Sequence, residues 1–407
     1  MNLLIVEYAS GGGYANQKLT SRILSEGYAM LRSLIADCKA CDHNVTTLLD
    51  SRLKKFNPPN HAYKIFWVTS VAQFSAKLME QAKMADAVYV IAPESGQVLK
   101  NLVQNVEDSG GTHLNCSVDA INRVSNKMKI NETLKKMGLK VPETVLLDIH
   151  EKVDNIKQLT KELGYPLIFK PLDGVSCDGL SIVKDEDSIA SAVKKVAHES
   201  TNKQFIAQKM IMGKTASVSV VSTGGKAVAA TLNRQFVKLG SPDEESEYFG
   251  GVVPFSHSRE KEALRTAEKA VETSQGLKGY VGVDMILTDE EPIVIEINPR
   301  LTTSYVGLRK VTNFNPAETI IDATIKQKLP KNLKHMGYSF FSKVEVPLCN
   351  QMLTETYRLK DVVSPPFPIE DRKAYAIIAV ASISPEEAEA AFYRTKEGLL
   401  KLYSRGN

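Results

Sequence analysis

Short apolar runs alternate with amphipathic stretches through the first part of the chain. Residues 3–7, 45–49, 65–69, 87–92 and 112–115 have strand composition. Between them Leu24, Tyr28, Leu31 and Ile35, and then Val71, Phe74, Leu78 and Met79, recur at helical spacing. That alternation predicts an open parallel sheet, a Rossmann-like front domain over residues 1–115. Residues 116–330 read as a mixed α+β body. A helix opens at Ser125-Asn126-Lys127 with Ile130, Leu134 and Met137 on one face and closes at Gly138. Strands follow at residues 165–170, 180–183 and 204–210, and residues 259–275 form a helix with Leu264, Ala267 and Val271 inward. Residues 233–257 show little periodicity and predict a long loop, the usual form of a lid. Residues 331–407 form a C-terminal extension with a strand at 374–382 and a helix at 385–403. No internal repeat or low-complexity tract is visible.

The pattern most informative about chemistry lies between Gly279 and Arg300. Two apolar runs, Gly-Tyr-Val-Gly-Val-Asp-Met-Ile-Leu and Pro-Ile-Val-Ile-Glu-Ile-Asn-Pro-Arg, flank Thr288-Asp289-Glu290-Glu291, which predicts a β-hairpin. Alternation puts Val294, Glu296 and Asn298 on one face and Ile293, Ile295 and Ile297 on the other. With the turn near Glu290, Asp284 falls opposite Glu296. Two facing carboxylates repel unless a cation lies between them. Asp, Glu and a carbonyl-bearing Asn offer hard oxygen ligands, which suit magnesium shared with phosphate rather than zinc. Arg300, just past the strand, is placed to grip a phosphate or acyl-phosphate oxygen. A surface hairpin with one solvated face would carry the same residue types, so the hairpin needs support from elsewhere in the chain.

Two lysines supply it. Lys127 sits in the first turn of its helix, where the helix dipole disfavours a cation unless an anion is near. Lys170 ends a short apolar strand and precedes Pro171-Leu172-Asp173-Gly174-Val175-Ser176-Cys177-Asp178-Gly179, a loop whose glycines allow it to fold over a polyphosphate and offer backbone N–H groups. Neither a Gly-x-x-x-x-Gly-Lys-Ser/Thr loop nor a Gly-x-Gly-x-x-Gly fingerprint is present. Lys127, Lys170 with its loop, the strand at 204–210 and the Asp…Glu-x-Asn-x-Arg hairpin occur in the order of the ATP-grasp superfamily, which the chain resembles over residues 116–307.

The resemblance implies an α/β and α+β ATP-grasp fold, with the Rossmann-like domain as its pre-ATP-grasp part and ATP held between two subdomains. It implies Lys127 and Lys170 on the phosphates and adenine against the backbone of Gln208, Lys209, Met210 and Ile211. It implies Mg²⁺, with Mn²⁺ as the alternative, on Asp284, Glu296 and Asn298, and Arg300 as the catalytic residue steadying the transferred phosphoryl group. Relatives often carry a ribose-binding glutamate after the hinge glycine, but here Gly213 is followed by Lys214-Thr215-Ala216-Ser217.

In the front domain, Glu7-Tyr8-Ala9-Ser10-Gly11-Gly12-Gly13 follows the first strand, where open sheets place ligands. With Ser25-Glu26-Gly27 and Tyr248-Phe249-Gly250-Gly251, it resembles the archaeal ATP-grasp subgroup that contains tyramine–L-glutamate ligase. Glu7, Gly11, Gly12 and Glu26 become candidate substrate residues. The implied reaction passes the γ-phosphoryl group of ATP to a carboxylate, giving an acyl phosphate that an amine converts to an amide. Positioning and charge neutralisation carry such transfers, in keeping with the lack of a Ser-His-Asp or Cys-His set. Another amino acid–amine pair, an ATP-dependent carboxylase and a non-catalytic nucleotide-binding module are the alternatives. The carboxylase lacks a legible carrier or fused partner, and the intact hairpin set argues against lost catalysis.

Composition narrows the rest. A chain of 407 residues is two to three domains at about 150 residues each, and 43% hydrophobic with 24% charged residues is ordinary for a globular protein. A net charge of +4 without a basic stripe interleaved with aromatics excludes nucleic acid as the expected partner. Residues 3–6 are too short for a signal or membrane segment, so the expectation is a cytoplasmic enzyme acting on small molecules, with a homo-oligomer left open. Five cysteines fit reduced thiols rather than a disulfide framework. Cys38-x-x-Cys41 with His43 lacks a second ligand pair and reads as helix-end packing.

Overall fold

The computed structural model describes residues 1–174, 177–200, 202–347, 353–369 and 373–404. Strands β1 (Asn2–Glu7), β2 (Asn44–Asp50), β3 (Lys64–Val68) and β4 (Ala87–Ile91) form a parallel sheet in the order β3-β2-β1-β4. Thr20 caps the helix Ser21–Ala40 and Ser70 caps the helix Val71–Ala82, each accepting a first-turn N–H. Leu24, Tyr28, Leu31 and Ile35 are all buried, as their spacing predicts. Met79 is not: it lies about 100° round the helix from buried Leu78 and faces outward. The expected strand at 112–115 is reduced to one bridge between Val88 and His113. Asn115 explains the loss, because its side-chain amide bonds both the N–H and the carbonyl of Val90 (2.9 and 2.7 Å) and replaces the backbone ladder.

The helix Lys127–Lys136 opens on Asn126, whose side chain accepts from the Lys129 N–H. Ile130 and Leu134 point inward, whereas Met137 sits at the helix end and is exposed. Next comes a small antiparallel sheet of β5 (Thr144–Asp148), β6 (Leu167–Pro171), β7 (Ser181–Val183) and β8 (Gln204–Lys209), ordered β5-β8-β6-β7. Helices Val153–Thr160 and Ile189–Glu199 back it, with Phe169 and Phe205 at its centre.

The large antiparallel sheet contains β9 (Lys214–Thr223), β10 (Ala227–Lys238), β11 (Glu247–Val253), β12 (Lys278–Leu287), β13 (Pro292–Asn298), β14 (Tyr338–Pro347), β15 (Val362–Ser364) and β16 (Lys373–Ser382). Its order is β13-β12-β9-β10-β11-β14-β16-β15. Residues 233–257 are therefore not one long loop: about half belong to β10 and β11, which are joined by residues 239–246. Their periodicity is hidden because polar side chains in β10 are used inside the sheet. Asn233 donates to the hydroxyls of Ser217 and Ser219 (3.3 and 3.0 Å), and Gln235 donates to Asp284 (2.9 Å).

The last three strands extend this sheet, and the helix Pro385–Ser404 packs across β14 and β16 through Phe340 and Phe392. Arg32 of the front domain ties to this end through the carbonyls of Val362 and Val363 (3.0 and 2.9 Å). Among the described residues no helix is long and apolar enough to cross a membrane, and Cys38, Cys41, Cys116 and Cys177 are free thiols.

Candidate active site

The two antiparallel sheets and the carboxyl ends of β1 and β4 enclose a cavity of about 850 Å³. Its chemistry begins at the β12–β13 hairpin. Asp284 pairs in register with Glu296 and Gly282 with Asn298, as the turn placement predicts. The alternation expected on β13 fails at one point. Met285 pairs with Val294, so Ile295 is an extra residue, a β-bulge. Val294 is turned into the core with Ile297, and Ile295 joins Glu296 and Asn298 on the cavity wall.

Burial raises the Asp284 carboxyl above its ordinary range, and the charge of Glu296 adds to the effect. Asn298 and Gln235 oppose it by donating to the two Asp284 oxygens (3.1 and 2.9 Å). Burial alone would raise Glu296 too, but Lys127 and Lys170 hold it low. Lys127 Nζ lies 3.0 Å from Glu296 Oε2 and donates to the Gly174 carbonyl (2.7 Å). Lys170 is buried near the end of β6, and desolvation lowers its ammonium to about 8 despite the nearby carboxylates. Among the described residues no three His, Cys, Asp or Glu side chains gather as a metal site. The hairpin instead offers two carboxylates and an amide, an all-oxygen set that needs outside oxygens to complete a magnesium shell.

Lys127 N–H also donates to the Leu172 carbonyl (3.3 Å), fastening the start of the loop that follows β6. Val175 and Ser176 of this loop lie outside the described residues. At the far wall, Gln208, Lys209, Met210 and Ile211 run past the cavity in the link from β8 to β9. The Gln208 side chain is fixed by Thr144 Oγ1 (2.9 Å). The Lys209 and Met210 N–H groups donate to the carbonyls of Glu143 and Pro166 (2.9 and 3.2 Å), whereas the Ile211 N–H has no partner among the described residues.

On the front-domain side Glu7, Glu26 and Gly27 line the cavity, but Gly11 and Gly12 do not. Glu7 is buried and caps the short helix Tyr8–Gly11, accepting from the N–H groups of Ala9 and Ser10 (3.0 and 2.7 Å) and from Ser10 Oγ (2.6 Å). A Cβ on Gly27 would stand 2.4 Å from Glu7 Cδ, so that glycine lets the helix lie against the carboxylate. Gly12, at φ 105°, packs on Val68, and Gly11 on Phe74; both serve the front-domain core. Of the four candidate substrate residues, Glu7 and Glu26 therefore border the cavity and the two glycines do not.

Sequence reasoning missed two partners. Arg300 Nε donates to Glu94 Oε2 at 2.9 Å; burial would weaken its hold on the proton, but Glu94 more than restores it. Glu94 lies just past the end of β4 and Glu7 ends β1, and that position at a strand's carboxyl end was the available signal. Lys343 of β14 carries a side chain only 2% exposed, between Glu26 Oε1 (3.1 Å) and Glu247 Oε1 (2.9 Å).

Residues 124–304 match the model of the ATP-grasp domain, and residues 43–121 that of the pre ATP-grasp 3 domain. The chain is 30% identical to tyramine–L-glutamate ligase of Methanocaldococcus fervens, an alignment covering 80% of this chain and 95% of the relative. Among solved structures, an ATP-grasp superfamily protein from Archaeoglobus fulgidus aligns over 93% of this chain and 99% of its own at TM-score 0.62 and 22% identity. Biotin carboxylase from Campylobacter jejuni aligns over 98% and 94% at TM-score 0.72 and 16% identity, a likeness of fold. With two domain models in the expected order and a relative matched over nearly its whole length, the chain belongs to the ATP-grasp family, as one of its ATP-dependent carboxylate–amine ligases.

Proposed function

We propose that this ligase joins L-glutamate to tyramine through an acyl phosphate, with ATP as the phosphoryl donor. The observation that carries the reading is one cavity lined by Lys127, Lys170, Asp284, Glu296, Asn298 and Arg300 together with Glu7 and Glu26. Phosphate-binding charge and the carboxylates of the front domain thus border the same space, and the relative from M. fervens bears the name of that reaction.

In this reading the Ile211 N–H receives a ring nitrogen of adenine, and apolar Ile168, Met210 and Ile295 line the same cavity from the two sheets and their link. Lys170 and Lys127 hold the phosphates, with Lys127 leaving Glu296 as they arrive. Asp284, Glu296 and Asn298 would hold magnesium, which neutralises charge on the phosphate oxygens. Arg300 holds the phosphoryl group as the substrate carboxylate attacks phosphorus and ADP leaves. The amine nitrogen then attacks the acyl carbon, phosphate departs and the amine proton passes to solvent. Pro171, Gly174, Cys177 and Asp178, which line the cavity beside the two lysines, shield the acyl phosphate from water. A cytoplasmic location belongs to the same proposal and rests on the sparse free thiols.

The test is ADP release across a matrix of amino acids and amines, with product mass. L-Glutamate with tyramine is expected to give the largest rate and an amide product. A different pair dominating would move the substrate assignment, and ADP release without an amide would remove the ligase mechanism.

A further inference from the structure

The guanidinium of Arg300 is held on two of its three nitrogens. Nε donates to Glu94 Oε2 (2.9 Å) and Nη1 to the carbonyl of Leu301 (3.1 Å). Nη2 has no partner among the described residues, although Arg300 lines the cavity. Glu94 itself is buried and does not line the cavity, yet its neighbours Pro93 and Ser95 do. It bonds Arg300 with one oxygen only: Oε1 is buried without a partner. A two-pronged carboxylate pairing would occupy a terminal nitrogen of the fork. The single-oxygen pairing takes Nε and leaves Nη2 for an incoming oxygen.

The same turn reaches a second part of the site. Two residues beyond Glu94, the Gly96 N–H donates to Asp173 Oδ2 (3.1 Å) in the loop that follows β6. Lys127 grips that loop one residue further on, at the Gly174 carbonyl. Gly96 and Gln97, which carry the chain on into the next helix, are both left-handed, at φ 58° and 59°.

From this arrangement we infer that Glu94 is the positioning residue of Arg300, and that the turn from Glu94 to Gly96 sets the guanidinium and the phosphate loop in one frame. Glu94 touches no substrate; it acts by fixing which nitrogen of Arg300 meets the transferred phosphoryl group. The inference rests on the assignment of Arg300 above, and its test separates the two.

Calorimetry would compare the affinity of the full chain for magnesium ADP with that for magnesium ADP plus aluminium fluoride, which mimics a phosphoryl group in transfer and needs neither amine nor acid. Glu94→Gln is expected to weaken the aluminium fluoride complex by about tenfold or more, with ADP affinity within about twofold. Arg300→Met should lose at least as much, and adding Glu94→Gln to it should cost nothing further, because the glutamate acts only through the arginine. A purely structural role would lower ADP affinity or the unfolding midpoint in parallel and would make the two losses additive, and either result overturns the inference. Arg300→Met with undiminished aluminium fluoride binding overturns the assignment of Arg300 and this inference with it. Normal binding by Glu94→Gln beside a defective Arg300→Met overturns the inference alone. If Glu94→Gln fails to fold, Glu94→Asp supplies the comparison: one methylene shorter, it should weaken the aluminium fluoride complex selectively, and wild-type affinity would overturn the inference.

Discussion

Lys127 Nζ stands 3.0 Å from Glu296 Oε2, so a proposed phosphate ligand and a proposed magnesium ligand are paired with each other. The pair keeps two half-buried opposite charges from standing alone. MgATP would exchange it for two separate contacts, lysine to phosphate and glutamate to metal. Glu296→Gln is therefore expected to cut ATP turnover by about 100-fold or more while the unfolding midpoint changes little. ADP release over a magnesium titration checks it, and wild-type turnover in the variant would remove the metal role of the hairpin.

Lys170 connects stability and affinity in opposite senses. Its pKa is about 8 folded against 10.5 for an ordinary lysine, so between those values the unfolded chain binds more protons and stability rises with pH. Below pH 8 the cost of the buried charge is fully present, about 3 kcal/mol at most. Lys170→Met should thus hold or raise the denaturation midpoint at pH 7 while weakening ATP binding by about tenfold or more. In the wild type, ATP affinity should fall as pH rises through 8, and Lys170→Arg should flatten that profile. Calorimetric titrations from pH 7 to above 9 decide it.

Gly27→Ala should separate the two halves of the reaction. The added Cβ would press on the Glu7 carboxylate, and an overpacked contact of this kind costs about 1–3 kcal/mol. ATP binding should stay near wild type, because the phosphate contacts lie outside the front domain, whereas amide formation should fall sharply. Equal loss of both, at unchanged stability, would detach Glu7 from the substrate.

Lys343→Met should destabilise the protein by about 3 kcal/mol, since it leaves Glu26 without its cation and Glu247 with only the longer contact to Arg22 (3.8 Å). A denaturant series at neutral pH measures the loss. An unchanged midpoint would show that the trio of charges does not hold this junction.

Local chemistry was legible in the sequence. The Asp284–Glu296 register, the Asn126 cap before Lys127 and the strand ending near Lys170 each depend on a short stretch of chain. Glu94 and Lys343 were not legible, because their partners lie 206 and 317 residues away and each alone looks like a solvated charge. Gly11 and Gly12 pack away from the cavity, a placement their sequence does not reveal because a glycine after a strand serves packing as readily as ligand approach. Residues 233–257 misled because Asn233 and Gln235 bond side chains of β9 and β12 within the sheet, whereas a polar pattern normally marks a loop.

The extra residue at Ile295 bears on a problem of parity. A regular strand shows every second side chain to a given face, so a greasy surface and a charged one cannot be consecutive there. By counting two residues against one, β13 sets Ile295 directly beside Glu296 on the cavity wall, while Val294 and Ile297 both remain in the core. A nucleotide poses the same juxtaposition, a flat apolar base a few bonds from a highly charged tail. The bulge lets one edge strand present both kinds of surface without a loop, so the spacing between them is held by the ladder on either side.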